Sequence, residues 1–147
     1  MIRFGKLTDY AMLIMSHMAK EPHSILSATS LAEVASLSTP TVSKVLKMLA
    51  EAGLVSSIRG ADGGYRLTRP AQAISLVDVI AAMEGEFAMT ECCERLDTWV
   101  INGKCLLREN WRKINSTIQS FLAELPILAM LEPLASPTSM QRLTHGK

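Results

Sequence analysis

The alternation of apolar and polar positions between residues 38 and 68 predicts a helix followed by a β-hairpin. Thr39 is expected to cap the helix through its side-chain oxygen, and Pro40 suits the first turn because its missing N–H needs no partner there. Gly53 fits the left-handed position at which helices end. The apolar side chains recur at the spacing of one helical face, at Val42, Val45, Leu46 and Leu49. The helix therefore has a defined start, a defined end and one buried face.

A two-stranded hairpin is predicted after this helix. The β-prone run from Leu54 to Arg59 and a returning strand from Tyr65 to Thr68 flank the loop sequence RGADGG, whose glycines allow a tight turn. A short helix is also predicted before the helix that starts at residue 39, across a turn at residues 36–39. Ser30 and Glu33 are expected to form its capping box. This order of elements predicts a winged helix-turn-helix.

The outward face of the predicted recognition helix is short, polar and basic. Hydroxyls at a helix N-terminus can reach base edges in a major groove, lysines can neutralise phosphates, and Arg59 on a thin loop can enter a minor groove. These properties favour double-stranded DNA as the partner. A dimeric protein-interaction module that never touches DNA is the alternative. The candidate contacts on the helix are Thr39, Thr41, Ser43, Lys44 and Lys47.

Two further helices complete the predicted head. The continuous apolar run Tyr10–Met18, with Thr8 at the helix start, predicts a buried first helix. Ser75 and Asp78 form a capping pattern for a fourth helix, which Gly85 ends and which is expected to pack under the wing.

The second half of the chain carries a heptad seam at Leu107, Trp111, Ile114, Ile118, Phe121 and Leu125. So short a seam could pack on the head, but a helix at the end of a small domain has little else to bury itself against than a second copy. The prediction is therefore a homodimer. The fold class is mainly α with a small β-hairpin, a winged helix-turn-helix head plus a long C-terminal dimerisation helix. The predicted parts are a DNA-binding domain at 1–85, a cysteine-containing loop at 86–105, the dimerisation helix and a terminal helix at 106–134, and a disordered tail at 135–147.

Composition and charge narrow the class of protein. Of the 147 residues 48% are hydrophobic and 20% charged, and no run reaches the length of a membrane span, so a soluble protein without membrane contact is expected. The N-terminus has no signal-peptide core, which predicts a cytoplasmic location. Residues 1–70 hold 8 Lys or Arg against 5 Asp or Glu, so this half is the better polyanion binder. No constellation of His, Ser or carboxylates indicates catalysis, and an enzyme is not expected.

All three cysteines, Cys92, Cys93 and Cys105, lie in the predicted loop. Few and odd in number, they do not form a disulfide framework in a cytoplasmic chain. Thiolates are the ligands of iron-sulfur clusters, and a loop that leads into a dimer helix could transmit the state of a cluster to the head. The spacing alone leaves four readings open: a cluster, a zinc ion, a reactive thiol sensor, and inert cysteines.

Taken together, the motifs resemble the Rrf-two family of bacterial winged-helix regulators, and most closely its branch that regulates the SUF iron-sulfur assembly operon. The resemblance spans about residues 1–130 and rests on KLTDYA, TPTVSKVLKMLAEAGLVSS, RGADGGYRLTRP, ISLVDVIAAMEG, TEC and CLLRENWRKIN. It implies a homodimer that binds operator DNA with its recognition helices in major grooves and its wings in minor grooves. Arg59 and Gly60 match the family's wing contact.

The resemblance also implies an iron-sulfur cluster, favouring a two-iron two-sulfur cluster, held by three loop cysteines and a fourth ligand that varies among members. Cys92 and Cys105 match the first and last of these cysteines. The middle one falls near Thr98 and Trp99, where this chain has no cysteine, and this leaves Cys93 as the third thiolate.

The fourth ligand departs from part of the family as well. The histidine that follows the last cysteine in IscR-like members is Arg108 here, whereas Asp9 matches an aspartate that NsrR-like members contribute from the other subunit. Asp9 is thus a candidate ligand, with favourable charge at a helix start as its ordinary role. The resemblance implies a repressor of iron-sulfur cluster assembly genes that responds to cluster or redox state. A cluster-free or thiol-based regulator of the same fold is the alternative.

Overall fold

Five α-helices and one β-hairpin follow one another in a computed structural model that describes residues 3–90 and 106–134. The helices are α1 (Lys6–Lys20), α2 (Ala28–Ala35), α3 (Thr39–Glu51), α4 (Leu76–Glu84) and α5 (Leu106–Glu124). The strands are β1 (Val55–Ile58) and β2 (Gly64–Leu67), and short 3₁₀ turns span Ala71–Ala73 and Ile127–Leu131. This architecture confirms the predicted fold class. The predicted cysteine loop beyond residue 90 and the predicted tail from residue 135 lie outside the described residues.

The core of the head lies between α1, α3 and α4. The apolar face predicted for α3 is completely buried, and the Met-rich face of α1 packs against it. Leu13 is the exception on α1, since 40% of it is exposed. The core is completed by Ile127, which returns from beyond α5 to lie among the same buried side chains. The largest fully buried side chains include Ile14, Met15, Met18, Leu46, Leu49, Ile74 and Ile127.

The starts of α2 and α3 differ from the sequence prediction. Ser27, and not Ser30, caps α2, and its Oγ accepts a hydrogen bond from the Ser30 N–H at 3.0 Å. Ser27 is extended because the neighbouring Leu26 pairs with a strand, so α2 begins as soon as this pairing ends. Ser38, and not Thr39, caps α3, where its Oγ accepts from the Thr41 N–H at 3.4 Å. Thr39 is the first helical residue.

The start of α1 is held by another helix. The N-cap residue is Gly5, which has no side chain to offer, and Thr8 lies within the first turn. The Gly5 N–H donates a hydrogen bond of 2.6 Å to Glu84 Oε1 on α4, and the Thr8 hydroxyl donates to the same oxygen. Thr8 therefore lies at the helix start as predicted, but its hydroxyl donates to Glu84 and does not cap α1. A carboxylate 76 residues away supplies the acceptor that a local cap would supply.

The wing is larger than the two predicted strands. β1 and β2 pair in antiparallel fashion from Val55 opposite Leu67 to Ile58 opposite Gly64. Leu26, in the connection between α1 and α2, adds a third partner on the other side of β2. Its N–H donates to the Tyr65 carbonyl at 2.9 Å, and the Tyr65 N–H donates back at 2.8 Å. The hairpin is thus tied to the segment that leads into the helix-turn-helix.

α4 has the predicted ends but a different neighbourhood. Ser75 and Asp78 form a complete capping box, and Gly85 ends the helix with φ of +87°. The main neighbours of the helix are α1, α3 and α5, so the prediction that it packs under the wing is wrong. The reason is that its apolar face is needed to close the core between α1 and α3. Its link to the wing is polar and runs through Arg69, which follows β2 and binds Asp78 at 3.0 Å.

α5 leaves much of its apolar seam uncovered in a single chain. The exposed fractions are 66% for Leu107, 43% for Ile114 and 45% for Phe121. Most of the seam thus faces solvent, but its last residue, Leu125, packs with Leu122 on the core of the head, and Ile118 is half-buried. Among the described residues there is no helix that is long and apolar enough to cross a membrane.

Candidate nucleic-acid interface

The N-terminal half of α3 presents the polar surface that the sequence predicted. Four of the five candidate side chains on this helix are exposed, and they lie opposite the four apolar side chains that α3 buries in the core. The acidic residue of α3 is Glu51, at its last position: it lies one turn after Lys47, whereas Lys44 has no carboxylate one turn away on the helix. This face can accept a polyanion. The exposed residues are Thr39, Ser43, Lys44 and Lys47.

The fifth candidate, Thr41, has a structural role as well. It is half-buried, and its Oγ1 lies 2.7 Å from the Ser38 Oγ, a distance at which either hydroxyl can donate. Ser38 therefore caps the helix and orients Thr41 at the same time. Sequence reasoning missed Ser38 because it assigned the cap one residue later. An exposed serine followed three residues later by a threonine is the signal that identifies it.

The tip of the wing is formed by residues 59–63, and Arg59 is exposed at its base. Gly60 has φ of +117°, a conformation that L side chains rarely adopt, so the chain can leave Arg59 and turn immediately. Gly64 is required for a different reason. A Cβ at this position would lie 2.5 Å from the Leu26 carbonyl oxygen, where β2 pairs with the segment before α2. The glycines of the loop thus keep the wing thin and attached.

Arg66 adds a basic group that sequence reasoning did not include. It lies on β2 opposite Ser56 and is exposed, while the next residue, Leu67, is buried. The alternation of outward and inward positions along a strand is the signal that could have found it. Arg69 is also exposed and basic, but it is already engaged. Its guanidinium binds Asp78 and donates to the Ala73 carbonyl at 3.0 Å, so it braces the base of the wing.

Asp9, the candidate ligand from the head, is exposed in the first turn of α1. The same turn is held by Glu84. The hydrogen bond from the Thr8 hydroxyl, and then that from the Gly5 N–H, lower the pKa of the Glu84 carboxyl from its ordinary 4.5, while desolvation acts in the opposite direction. Within residues 3–90 and 106–134 no three His, Cys, Asp or Glu side chains come together as a metal site. The candidate ligands Cys92, Cys93 and Cys105 lie outside the described residues.

Comparison with known proteins gives one family. The model of the Rrf2 family, described as "Iron-dependent Transcriptional regulator", matches residues 4–133. The chain is 38% identical over 93 residues to Protein aau3 of Rhizobium meliloti (strain 1021), a match that covers 63% of this chain and 60% of that protein, less than two thirds of its length. It is 35% identical over 124 residues to the HTH-type transcriptional regulator IscR of Vibrio atlanticus, which covers 84% of this chain and 69% of IscR.

Among solved structures, that of CymR (YrzC), the global cysteine regulator of B. subtilis, superimposes with a TM-score of 0.73 at 29% sequence identity. The superposition covers 90% of this chain and 100% of CymR. The fold and its exposed basic surface define the class, a winged helix-turn-helix transcriptional regulator. The chain belongs to the Rrf2 family, which is the Rrf-two family that its sequence motifs resemble. Because the family model, IscR and CymR are all described as regulators, the prediction that the chain is not an enzyme is confirmed.

Proposed function

We propose that this protein is a homodimeric repressor of iron-sulfur cluster assembly genes, which binds operator DNA through α3 and the wing. The observation that carries the DNA-binding part is the exposed face of α3, with Lys44 and Lys47 and no competing carboxylate before Glu51. Two lysines alone neutralise few phosphates, and a dimer doubles this number. The wing adds Arg59 and Arg66 to each copy.

The division of labour follows from the chemistry of these side chains. Thr39 and Ser43, at the N-terminal end of α3, are short hydroxyl residues that hydrogen-bond to base edges in a major groove. The lysines further along contact phosphates and hold the helix in register. Arg59 inserts into a minor groove next to it, where a narrow groove has the most negative potential.

The test of the DNA-binding part compares Arg59→Ala with wild type on an operator that wild type selects from random duplexes and on unrelated DNA. We expect Arg59→Ala to lose about 1–3 kcal/mol on the operator and much less on unrelated DNA. Equal losses on both would mean that Arg59 touches only phosphate. Lys113→Ala is the matched control, because Lys113 is an exposed base on α5 whose partner is the neighbouring Glu109. If wild type shows no salt-dependent binding to any duplex, the DNA-binding hypothesis is excluded and the protein-interaction module is favoured.

The homodimer is supported by the seam of α5. Its side chains Leu107, Trp111, Ile114 and Phe121 are exposed in a single chain although they repeat at heptad spacing. Exposed apolar residues at this spacing stabilise a pair of helices when they are buried against a second copy. In a two-fold symmetric pair, each head would present one α3 to the DNA, so two half-sites would be read.

The signal is proposed to act at the cysteines. Cys92, Cys93 and Cys105 supply the thiolates that a two-iron two-sulfur cluster requires, and Asp9 of the partner subunit is the proposed fourth ligand. The exposure of Asp9 fits this role, since its carboxylate is not buried within its own head. Such a cluster would supply redox chemistry and sensitivity to iron and oxygen.

The test of the cluster is the visible absorption spectrum, together with the iron and sulfide content, of protein purified without oxygen. Matching amounts of iron and sulfide are expected, and colourless, iron-free protein that stays empty after reconstitution would refute the cluster.

A thiol-based regulator is the second candidate, favoured by a specific observation. The chain lacks a cysteine near residues 98 and 99 and has Arg108 where other members have a histidine ligand, so two of the usual ligands are missing. Its structural neighbour CymR is a cysteine regulator by name. For an iron-free protein, oxidation should then change operator affinity in wild type and leave Cys92→Ser unchanged. An equal response in both would exclude Cys92 as the sensor.

A further inference from the structure

Two of the contacts that attach α5 to the head lie about ten residues apart along the helix. The first is at the C-terminal end of the helix, where the Leu76 N–H donates to the Leu125 carbonyl at 2.9 Å and the Ile127 N–H donates to the Ile74 carbonyl at 2.8 Å. These are backbone contacts between the segment after α5 and the start of α4. The packing of Leu122 on the core lies close to the same place.

The second attachment is a single side chain in the middle of α5. The Oδ1 atom of Asn115 accepts a hydrogen bond from the Met89 N–H at 2.9 Å, and its Nδ2 donates to the Phe87 carbonyl at 3.2 Å. The amide thus pairs with both backbone groups of a segment in the way that a neighbouring strand would. Asparagine suits this position because it carries a donor and an acceptor side by side on a short stem.

The segment held by Asn115 is itself fixed to the head. It begins after Gly85, and Glu84 immediately before it is bound to the first turn of α1 through Thr8 and Gly5. Phe87 lies only three residues beyond Glu84. Asn115 therefore connects α5 to a part of the head that cannot move far relative to α1 and α4.

We infer that Asn115 is a positioning residue that fixes the angle between α5 and the head, and through it the half-site spacing that the two recognition helices can read. The argument is geometric. Ten residues separate Asn115 from Leu125, which is about 15 Å along a helix. Without the hydrogen bonds of Asn115, α5 could pivot more freely about its C-terminal contacts, and the seam from Leu107 to Phe121 would move with it. This inference rests on the proposed function, namely a homodimer formed by α5 that binds two half-sites of DNA.

The test uses the full-length protein and a series of operators. Duplexes are selected from a random pool with wild type, and the two half-sites are then moved by one or two base pairs in either direction. Wild type is expected to prefer one spacing. Asn115→Ala should reduce this preference by about tenfold, the change that two neutral hydrogen bonds correspond to, while its affinity for a single half-site stays unchanged. A role in stability alone would not alter the ranking of spacings.

Two further variants keep the inference falsifiable. Asn110→Ala removes an exposed asparagine from the same helix and should keep the wild-type ranking. Asn115→Asp retains an acceptor for the Met89 N–H but places a carboxylate oxygen against the Phe87 carbonyl oxygen, so it should reduce the preference at least as much as alanine and serves if the alanine variant does not fold. A wild-type ranking in Asn115→Ala, or an equal loss on all DNAs including the single half-site, would overturn the inference. A wild type that binds as a monomer or accepts all spacings equally would instead refute the homodimeric reading, and the inference with it.

Discussion

Replacing Gly64 with alanine should detach the wing from the segment before α2. The new Cβ would lie 2.5 Å from the Leu26 carbonyl oxygen, 2.7 Å from its carbon and 3.0 Å from the Ser27 nitrogen. All three are backbone atoms, so no flexible side chain can move aside. Relief requires that the two hydrogen bonds between Leu26 and Tyr65 lengthen or break. At about 0.5–1.5 kcal/mol for each bond, and about 1 kcal/mol for the displaced Ser27 cap of α2, the expected loss is about 2–4 kcal/mol.

The assay for this loss is urea unfolding at a fixed protein concentration, since stability in a dimer depends on concentration. Ser57→Ala is the matched control. Ser57 lies opposite Tyr65 in the same hairpin and is exposed, so its replacement should change the free energy of unfolding by no more than about 0.5 kcal/mol. A Gly64→Ala protein as stable as this control would refute the claim that the close approach of β2 to Leu26 holds the wing.

Two other perturbations test the head and the dimer. Because hydrogen bonds lower the pKa of Glu84, its charged form stabilises the fold: the excess stability of wild type over Glu84→Gln should be complete above pH 4.5 and shrink as the pH falls further. Unfolding free energies measured at several pH values check this, and a difference that does not depend on pH would contradict it. Ile114→Glu should turn the proposed dimer into a monomer in sedimentation equilibrium, since it places a charge in the apolar seam, whereas the exposed neighbouring position in Lys113→Glu should not. A dimeric Ile114→Glu protein would exclude this seam as the interface.

Local patterns were sufficient to predict most of the fold. The buried face of α3 follows from four apolar residues at helical spacing, and all four are fully buried. The capping box of α4 and the left-handed glycines Gly53 and Gly85 follow equally from single residues and their immediate neighbours. On the proposed interface, the exposure of Lys44 and Lys47 follows from the same periodicity, and that of Arg59 from its place at the start of the glycine-rich loop. Such features need no knowledge of the remainder of the chain.

Features that depend on distant partners were not predictable in this way. The start of α2 is set by the pairing of Leu26 with Tyr65, and the start of α1 by Glu84. Several Ser or Thr residues were plausible local caps for α2, and Thr8 was the candidate for α1, but the tertiary contacts decide where both helices begin. No sequence pattern predicts the two hydrogen bonds of Asn115 with Phe87 and Met89, because one asparagine on an amphipathic helix is ordinarily a solvated residue.

The return of the chain after α5 links the stability of the head to the proposed dimer helix. Ile127 is only 1% exposed and lies in the same core as Ile74 and Val79, although it follows α5 in the chain. The core of the head therefore includes a side chain that the chain supplies only after α5. A change in the orientation of α5 would therefore disturb both the hydrogen bonds of Asn115 and the packing of Ile127. The segment Ile127–Leu131 packs mainly on α1, and α1 packs directly against α3, so only α1 lies between this docking site and α3. This short path is a physical basis on which the state of the segment before α5 could alter DNA binding.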